Sequence, residues 1–308
     1  MSTSDNPPET HPHRGGNRFE AVTSERVPFG VAVLGGPTTL LDIAGLRVLA
    51  DPTFDPPGGH GYLHKTAGPA VSAEALGAVD VVLISHDQHP DNLDDAGREL
   101  ALRAPVLLTT PTSAGRLGAP ANGLPTWTTW TSDNGALTVT ALPARHGPAD
   151  GETDAHGFVN CEVTGFLLEA QNGPRVYVSG DNASLEHVRT IRERVGEPDL
   201  AVLFAGAASV PTKYQGRPLS LTAARAGAAA EVLAAAHVVV AHQTGWAHFH
   251  DGPQETRQAF AQAGIANALC RAPLGAWCTC TLMPRRHARC CGDHSGSFRA
   301  GRLAADHG

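Results

Sequence analysis

Short apolar runs rich in Val, Leu and Ile punctuate the chain at Phe29–Leu34, Thr38–Ile43, Arg47–Ala50, Val81–Ser85, Pro105–Thr110, Leu137–Leu142, Glu162–Leu168, Arg175–Ser179, Leu200–Phe204 and His237–Ala241. Their length, their β-branched content and the Gly and Pro residues around them predict strands. Two stretches read as helices instead. Thr222 is placed to cap AARAGAAAEVLAAA, an Ala-rich run that leads into the His237–Ala241 strand. Leu93–Arg103 has helical composition, and Asp94 and Asp95 near its start suit the positive end of a helix dipole. Periodicity alone predicts an α/β protein.

Several of the strand-like runs end alike. The segment Val81–Asp94, VVLISHDQHPDNLD, passes from an apolar run into two histidines, three aspartates and an asparagine. Downstream, LTVTALPARHGP, RVYVSGDN and HVVVAHQTGW each end a β-rich run with one residue of ligand type, His146, Asp181 and His242. Imidazole and carboxylate are the groups that hold zinc or a similar divalent ion. Any one of these endings could be an ordinary polar loop. Repetition at four strand ends points elsewhere, because a metal site gathers side chains from loops on one edge of a rigid scaffold.

Composition narrows the field. A chain of 308 residues with 42% hydrophobic content can bury a sizeable core, and 34 Gly with 23 Pro suits a loop-rich α/β protein. The formal net charge of −7 disfavours nucleic acid as a partner. No run approaches the ~18–20 apolar residues of a membrane span. Residues 1–27 are polar, rich in Pro and Gly, and lack the apolar core of a secretory signal. They are expected to carry little fixed structure, and the protein to be cytoplasmic.

Periodicity fades after Leu269, and from Cys270 onward six arginines face two aspartates, a local charge of +4 against −11 for the rest. Five of the six cysteines crowd into this stretch at spacings that match neither a zinc finger nor a disulfide framework. Residues 270–308 are therefore given no role in the site. Cys161 lies in a strand-like run and reads as a small buried hydrophobe.

From Phe29 to Phe249 the order of these motifs resembles the metallo-β-lactamase superfamily, and within it the branch of ascorbate-6-phosphate lactonase-like proteins and the phospholipase-D-type enzymes acting on N-acyl-phosphatidylethanolamine. GGPTTLLDIAGLRVLADPTF is similar to the family's opening hairpin and Asp-Pro turn, SGDN to its bridging-aspartate turn, and AHQTGWAHF to its last histidine segment. The resemblance implies an αβ/βα four-layer sandwich over residues 28–269. It also implies a hydrolase that uses metal-activated water on a small molecule: a lactone, another ester or a phosphodiester. The cofactor would be one or two zinc ions, with manganese or iron as alternatives.

The implied ligands are His89, Asp91, His146, Asp181 as the bridge, and His242. The family pattern His-x-His-x-Asp-His is altered here. Aligning the strand end makes His86 a ligand and requires an insertion. Aligning Asp91-Asn92-Leu93-Asp94 instead places Asp87 there, and this register is favoured because it needs none. Asn92 is the weakest donor of the loop. Asp91 would orient the nucleophile or hold a second ion. Trp246, His248 and Phe249 would wall the substrate pocket, His248 giving a proton or holding an anionic group. Two other readings stand beside this one: a degenerate, metal-poor binding module, and a nuclease of the same superfamily.

Overall fold

Strand burial in this chain sorts side chains onto two inner and two outer faces, and the computed structural model, which describes residues 19–279, stacks them in four layers. The chain opens with β1 (Gly30–Gly35), β2 (Thr38–Ile43) and β3 (Leu46–Ala50), joined as an antiparallel meander. A ribbon of β4 (Gly58–His60) and β5 (Leu63–Lys65) follows. Next come β6 (Val81–Leu83), α1 (Asp95–Arg103), β7 (Val106–Thr109), α2 (Pro111–Leu117) and β8 (Ala121–Gly123). These strands complete a six-stranded sheet in the order β1-β2-β3-β6-β7-β8, parallel from β3 onward.

The second sheet begins with β9 (Thr129–Thr131), β10 (Leu137–Pro143), β11 (Thr164–Ala170) and β12 (Arg175–Val178), all antiparallel neighbours. After α3 (Leu185–Val195), β13 (Leu200–Phe204) and, past α4 (Ala223–Leu233), β14 (His237–Ala241) extend it in parallel; α5 (Pro253–Gln262) follows. Val31, Leu41, Val48 and Leu83 of one sheet meet Val139, Phe166, Val176 and Val202 of the other in the central core. Outside the second sheet, Leu167, Tyr177 and Leu203 pack on Ile191, Ala226 and Phe260 from the three helices. The outer face of the first sheet packs Leu49 and Val82 with Ala101 of α1.

This is the expected α/β four-layer sandwich, with sheets flanked by helices. Thr222 caps α4 by accepting from Arg225 N at 3.2 Å, and Asp94 caps α1 by accepting from Gly97 N at 2.8 Å. The boundaries of the body differ from the reading at 27 and 269. Arg47, fully buried and paired with Asp42 at 2.8 Å, donates to the carbonyls of Thr23, Ser24 and Glu25 and so anchors residues 19–27. Trp277 is buried in the outer core, with its N–H on Glu20 O at 2.8 Å.

Cys270 and Cys278 form a disulfide, contrary to the expectation from spacing. Residue 270 bonds to Val238 on β14 and residue 278 to Val31 on β1, so one strap crosses the edges of both sheets. Expectations for residues 1–18 and 280–308 lie outside the described residues. Among the described residues no helix is long and apolar enough to cross a membrane.

Candidate metal centre

Topology brings the strand ends together. β12, β13 and β14 run parallel, and β10 shares their direction because two antiparallel pairings separate it from β12. The loops after β10, β12 and β14 therefore leave from one edge of the second sheet. The loops after β3 and β6 meet them from the first, where Thr164 N donates to Ser85 O at 3.1 Å across the sandwich. Gly180 holds the crossing open: at φ +56° a Cβ would meet Thr164 O at 2.5 Å and Ser85 Cβ at 2.8 Å.

Three imidazoles converge. His86 Nε2 lies 2.8 Å from His89 Nδ1, and His146 Nε2 lies 2.9 Å from the same atom. All three rings are buried, and burial lowers their pKa values, that of His89 to about 4. They are thus neutral near pH 7. His146 Nδ1 sits 2.9 Å from Leu219 O, a bond that only a protonated Nδ1 can make, which leaves the Nε2 lone pair aimed into the cluster. That is the tautomer and the orienting contact of a metal-ligating histidine.

A second group lies beside the first. Asp91, Asp181 and His242 offer donor atoms within 4.8 Å of one another. His242 Nε2 lies 3.2 Å from Asp91 Oδ2 and 3.3 Å from Asp181 Oδ1. The other Asp181 oxygen, Oδ2, is 3.8 Å from His146 Nε2, so this carboxylate stands between the groups. Burial, then the charges of Asp91 and Asp51, push the Asp181 carboxyl well above the ordinary range. Burial opposes ionisation of Asp91 too, but hydrogen bonds from His242 and His248 outweigh it and hold its carboxyl low. Asp181 Oδ1 and Asn92 Oδ1 are buried without a hydrogen-bond donor. Neutral imidazoles, facing carboxylates and orphaned oxygens fit divalent cations, which would relieve each of these costs at once.

Two features around these groups constrain the backbone. His242 adopts φ +62°, with its N–H on Gly36 O at 2.7 Å. The segment Ala205-Gly206-Ala207-Ala208 runs past it after β13, and a Cβ at Gly206 would meet His242 O at 1.8 Å.

Of the two registers for the ligand loop, the structure brings His86 into the cluster and takes Asp87 out of it. Asp87 accepts from Arg116 Nε at 3.0 Å on each oxygen. The chain bends at Asp87 and Gln88 and turns after His89, where Asn92 N and Leu93 N donate to His89 O at 3.1 and 3.0 Å, and on this path His86 and His89 face each other. Asn92 points its amide nitrogen toward Asp51 Oδ2, at 3.4 Å. Asp94, expected to be structural, also accepts from Lys65 Nζ at 2.8 Å in a buried pair.

The pocket residues divide. His248 places Nε2 2.9 Å from Asp91 Oδ2 and lines a narrow cavity of about 20 Å³ with His89, Asp91, His146 and Asp181. Trp246 and Phe249 are outside that lining. Trp246 is buried by the ribbon, 5.4 Å from the His60 ring and 5.5 Å from Lys65 Nζ, and Phe249 packs on His242 with ring centroids 4.1 Å apart. Both therefore support the histidine segment rather than wall the cavity. Tyr62 and Lys213 line it instead, the ammonium 3.2 Å from the phenol oxygen. A larger cavity of about 380 Å³ lies behind His242, which lines it together with Val31, Val239 and Leu269; Asp91, Asp181 and the three-histidine cluster are outside its lining.

Sequence reading also missed Asp51 and Cys161. Asp51 accepts from Ser85 N at 2.6 Å, and burial raises its carboxyl from 3.8 to about 7. Its Asp-Pro context signals a turn and nothing of its neighbours. Cys161 Sγ lies within 4.8 Å of the donor nitrogens of His86, His89 and His146.

Comparison with known proteins places this architecture. The sequence profile described as "Beta-lactamase superfamily domain" matches residues 46–243. A protein of Polaromonas sp. (strain JS666), named a UPF0173 metal-dependent hydrolase, is 35% identical over 151 residues, 43% of this chain. The match spans about half of that relative, 52% of its length. The crystal structure of an isothiocyanate hydrolase from Delia radicum gut bacteria superposes with a TM-score of 0.68 at 20% identity, over 80% of this chain and 97% of that one. A possible metal-dependent hydrolase from Veillonella parvula gives 0.70 at 16% identity, over 81% and 98%.

Proposed function

We propose that this chain, which belongs to the beta-lactamase superfamily, is a metal-dependent hydrolase of small molecules. The observation that carries the reading is the placement of Asp181 between a three-histidine cluster and the Asp91–His242 pair. His86, His89 and His146 would hold one ion, Asp91 and His242 a second, and Asp181 would touch both. Divalent ions there supply Lewis acidity and make water acidic enough to serve as a nucleophile near neutral pH.

The chain's own residues divide the remaining work. His146 is fixed by Leu219 O, so its donor nitrogen stays aimed at the cluster. Asp91, held ionised by His242 and His248, orients water in the cavity and accepts its proton. His248, at the cavity wall, returns a proton to the leaving group. Cleavage of a lactone, another ester or a phosphodiester needs these elements and no serine or cysteine nucleophile. The lactonase-like and phospholipase-D-like branch remains our reading of the motifs around Asp181 and His242. Zinc suits the histidine cluster; the oxygen-rich second position also accommodates manganese or iron.

Elemental analysis of the purified protein, followed by chelation and hydrolysis assays on a panel of lactones, esters, phosphodiesters and an isothiocyanate, tests the proposal. Bound divalent metal, with hydrolysis lost on chelation and restored by reloading, is the expected result. Protein that neither carries nor takes up divalent metal would be a binding module instead, and metal-dependent cleavage of nucleic acid alone would make it a nuclease.

A further inference from the structure

Cys161 is the remaining donor at the histidine cluster. It is a free thiol, 8% exposed, on the approach to β11. The loop between His146 and Cys161 folds back on itself: Asn160 N donates to His146 O at 3.1 Å, and the Tyr214 hydroxyl donates to Val159 O. These two contacts fix the residues just before Cys161 and deliver its side chain beside His146. Its Sγ and one nitrogen each of His86, His89 and His146 lie within 4.8 Å of one another. Donors sharing one tetrahedral ion lie roughly 3.3–3.6 Å apart, given bonds near 2.0–2.3 Å. A small adjustment closes the set.

We infer that Cys161 is a metal ligand, its thiolate completing His86, His89 and His146 as a site of three nitrogens and one sulfur. The inference rests on the metal-dependent reading of this cluster. On binding, the thiol proton leaves to water and a sulfur–metal bond takes its place, since a coordinating thiol is deprotonated outright. A buried cysteine acting only as a small hydrophobe would face apolar side chains; this one faces three imidazole nitrogens.

The consequence is a functional split. Cys161 takes the fourth place that the bridging reading gives to Asp181, which then serves the oxygen-rich ion alone, so the histidine–cysteine position becomes a closed tetrahedral one that selects soft or borderline metals such as zinc or cobalt. Cys161 and His86 are outside the cavity lining, while His89 and His146 share it with Asp91, Asp181 and His248. The thiolate and His86 then close the nitrogen–sulfur ion from behind, and with its four places filled, water and substrate bind at the oxygen-rich position.

Cobalt(II) titration of the metal-stripped full chain tests this directly. The wild type is expected to show a near-ultraviolet sulfur-to-cobalt charge-transfer band together with visible bands of tetrahedral cobalt. A triple substitution of Cys280, Cys290 and Cys291 by Ser should keep the band. Cys161→Ser should lose it and bind cobalt at least roughly 10-fold more weakly, the loss that even outer-shell partners produce. Tetrahedral visible bands with no sulfur band in the wild type, or a sulfur band that survives Cys161→Ser, would overturn the assignment while leaving the histidine site standing. No cobalt uptake at all would overturn both.

Discussion

Asp87 rests its buried carboxylate on Arg116, whose Nε is 3.0 Å from each oxygen, and so turns a residue of ligand type into a half-buried ion pair. His86, its neighbour, points the other way into the imidazole cluster. Substituting each by Ala separates the two registers of the loop. His86→Ala is expected to lose about one equivalent of bound metal, and Asp87→Ala to keep the wild-type content. Plasma emission on dialysed protein reads the difference, and equal loss in both variants would return Asp87 to the ligand set.

His248 is expected to matter for turnover and not for metal. Its Nε2 bonds to Asp91 Oδ2 at 2.9 Å from the cavity wall. His248→Gln should lower kcat by about 10²–10⁴-fold, the range of general acid–base catalysis, with metal content unchanged. A fall in metal content of the same order as the fall in rate would make His248 a ligand.

The buried carboxyl of Asp51 should give the metal-free protein a recognisable pH dependence. Its folded value is about 7 against an ordinary 3.8, so the folded state holds this proton more tightly than the unfolded chain. The contribution is fully present below 3.8 and is lost as pH rises through about 7. Asp51→Asn removes this dependence. The stability of Asp51→Asn minus that of wild type should rise by up to about 4 kcal/mol across that window and then level off, at ~1.4 kcal/mol per unit. Denaturant melts in chelator at a series of pH values measure it; a flat difference would sink the account.

Trp277 is 2% exposed within the outer core of the first sheet. Trp277→Ala should cost about 3–5 kcal/mol, the usual range for a buried tryptophan. Truncation after Leu269 removes the same side chain together with the strap between β1 and β14, and should cost at least as much. Melting of a truncated protein at the wild-type temperature would show that the body ends at Leu269 after all.

How much of this could be read in the residues depends on whether side-chain direction is periodic. Along β2, β13 and β14 it is, and those strands match the runs read from sequence to within a residue. His146, Asp181 and His242 were legible because each follows such a strand, and the strand's direction carries it to the shared edge. Loops offer no such rule. Asp87 and His86 are adjacent and of ligand type, and only the local path of the backbone between Ser85 and His89 decides which one enters the cluster. Trp246 sits four residues after a ligand yet packs on Lys65, while Tyr62 and Lys213 reach the cavity from separate loops. Arg47 anchors residues 19–27 through their carbonyls, a contact to which the polar composition of that segment gives no clue.

β13 contributes no donor, yet it runs between β12 and β14, whose ends carry Asp181 and His242. With strands ~4.8 Å apart, two side chains from the flanking strands can meet only by leaning across the end of the middle one. Ala205-Gly206-Ala207-Ala208 keeps that end low, and even one methyl at Gly206 would strike the His242 carbonyl. In a saturation mutagenesis screen, Gly206 should therefore score with the ligands themselves, as intolerant as His242, although it has no side chain with which to bind anything. A search for descendants of this site that ranks positions by reactive groups would pass over the residue whose emptiness makes the site possible.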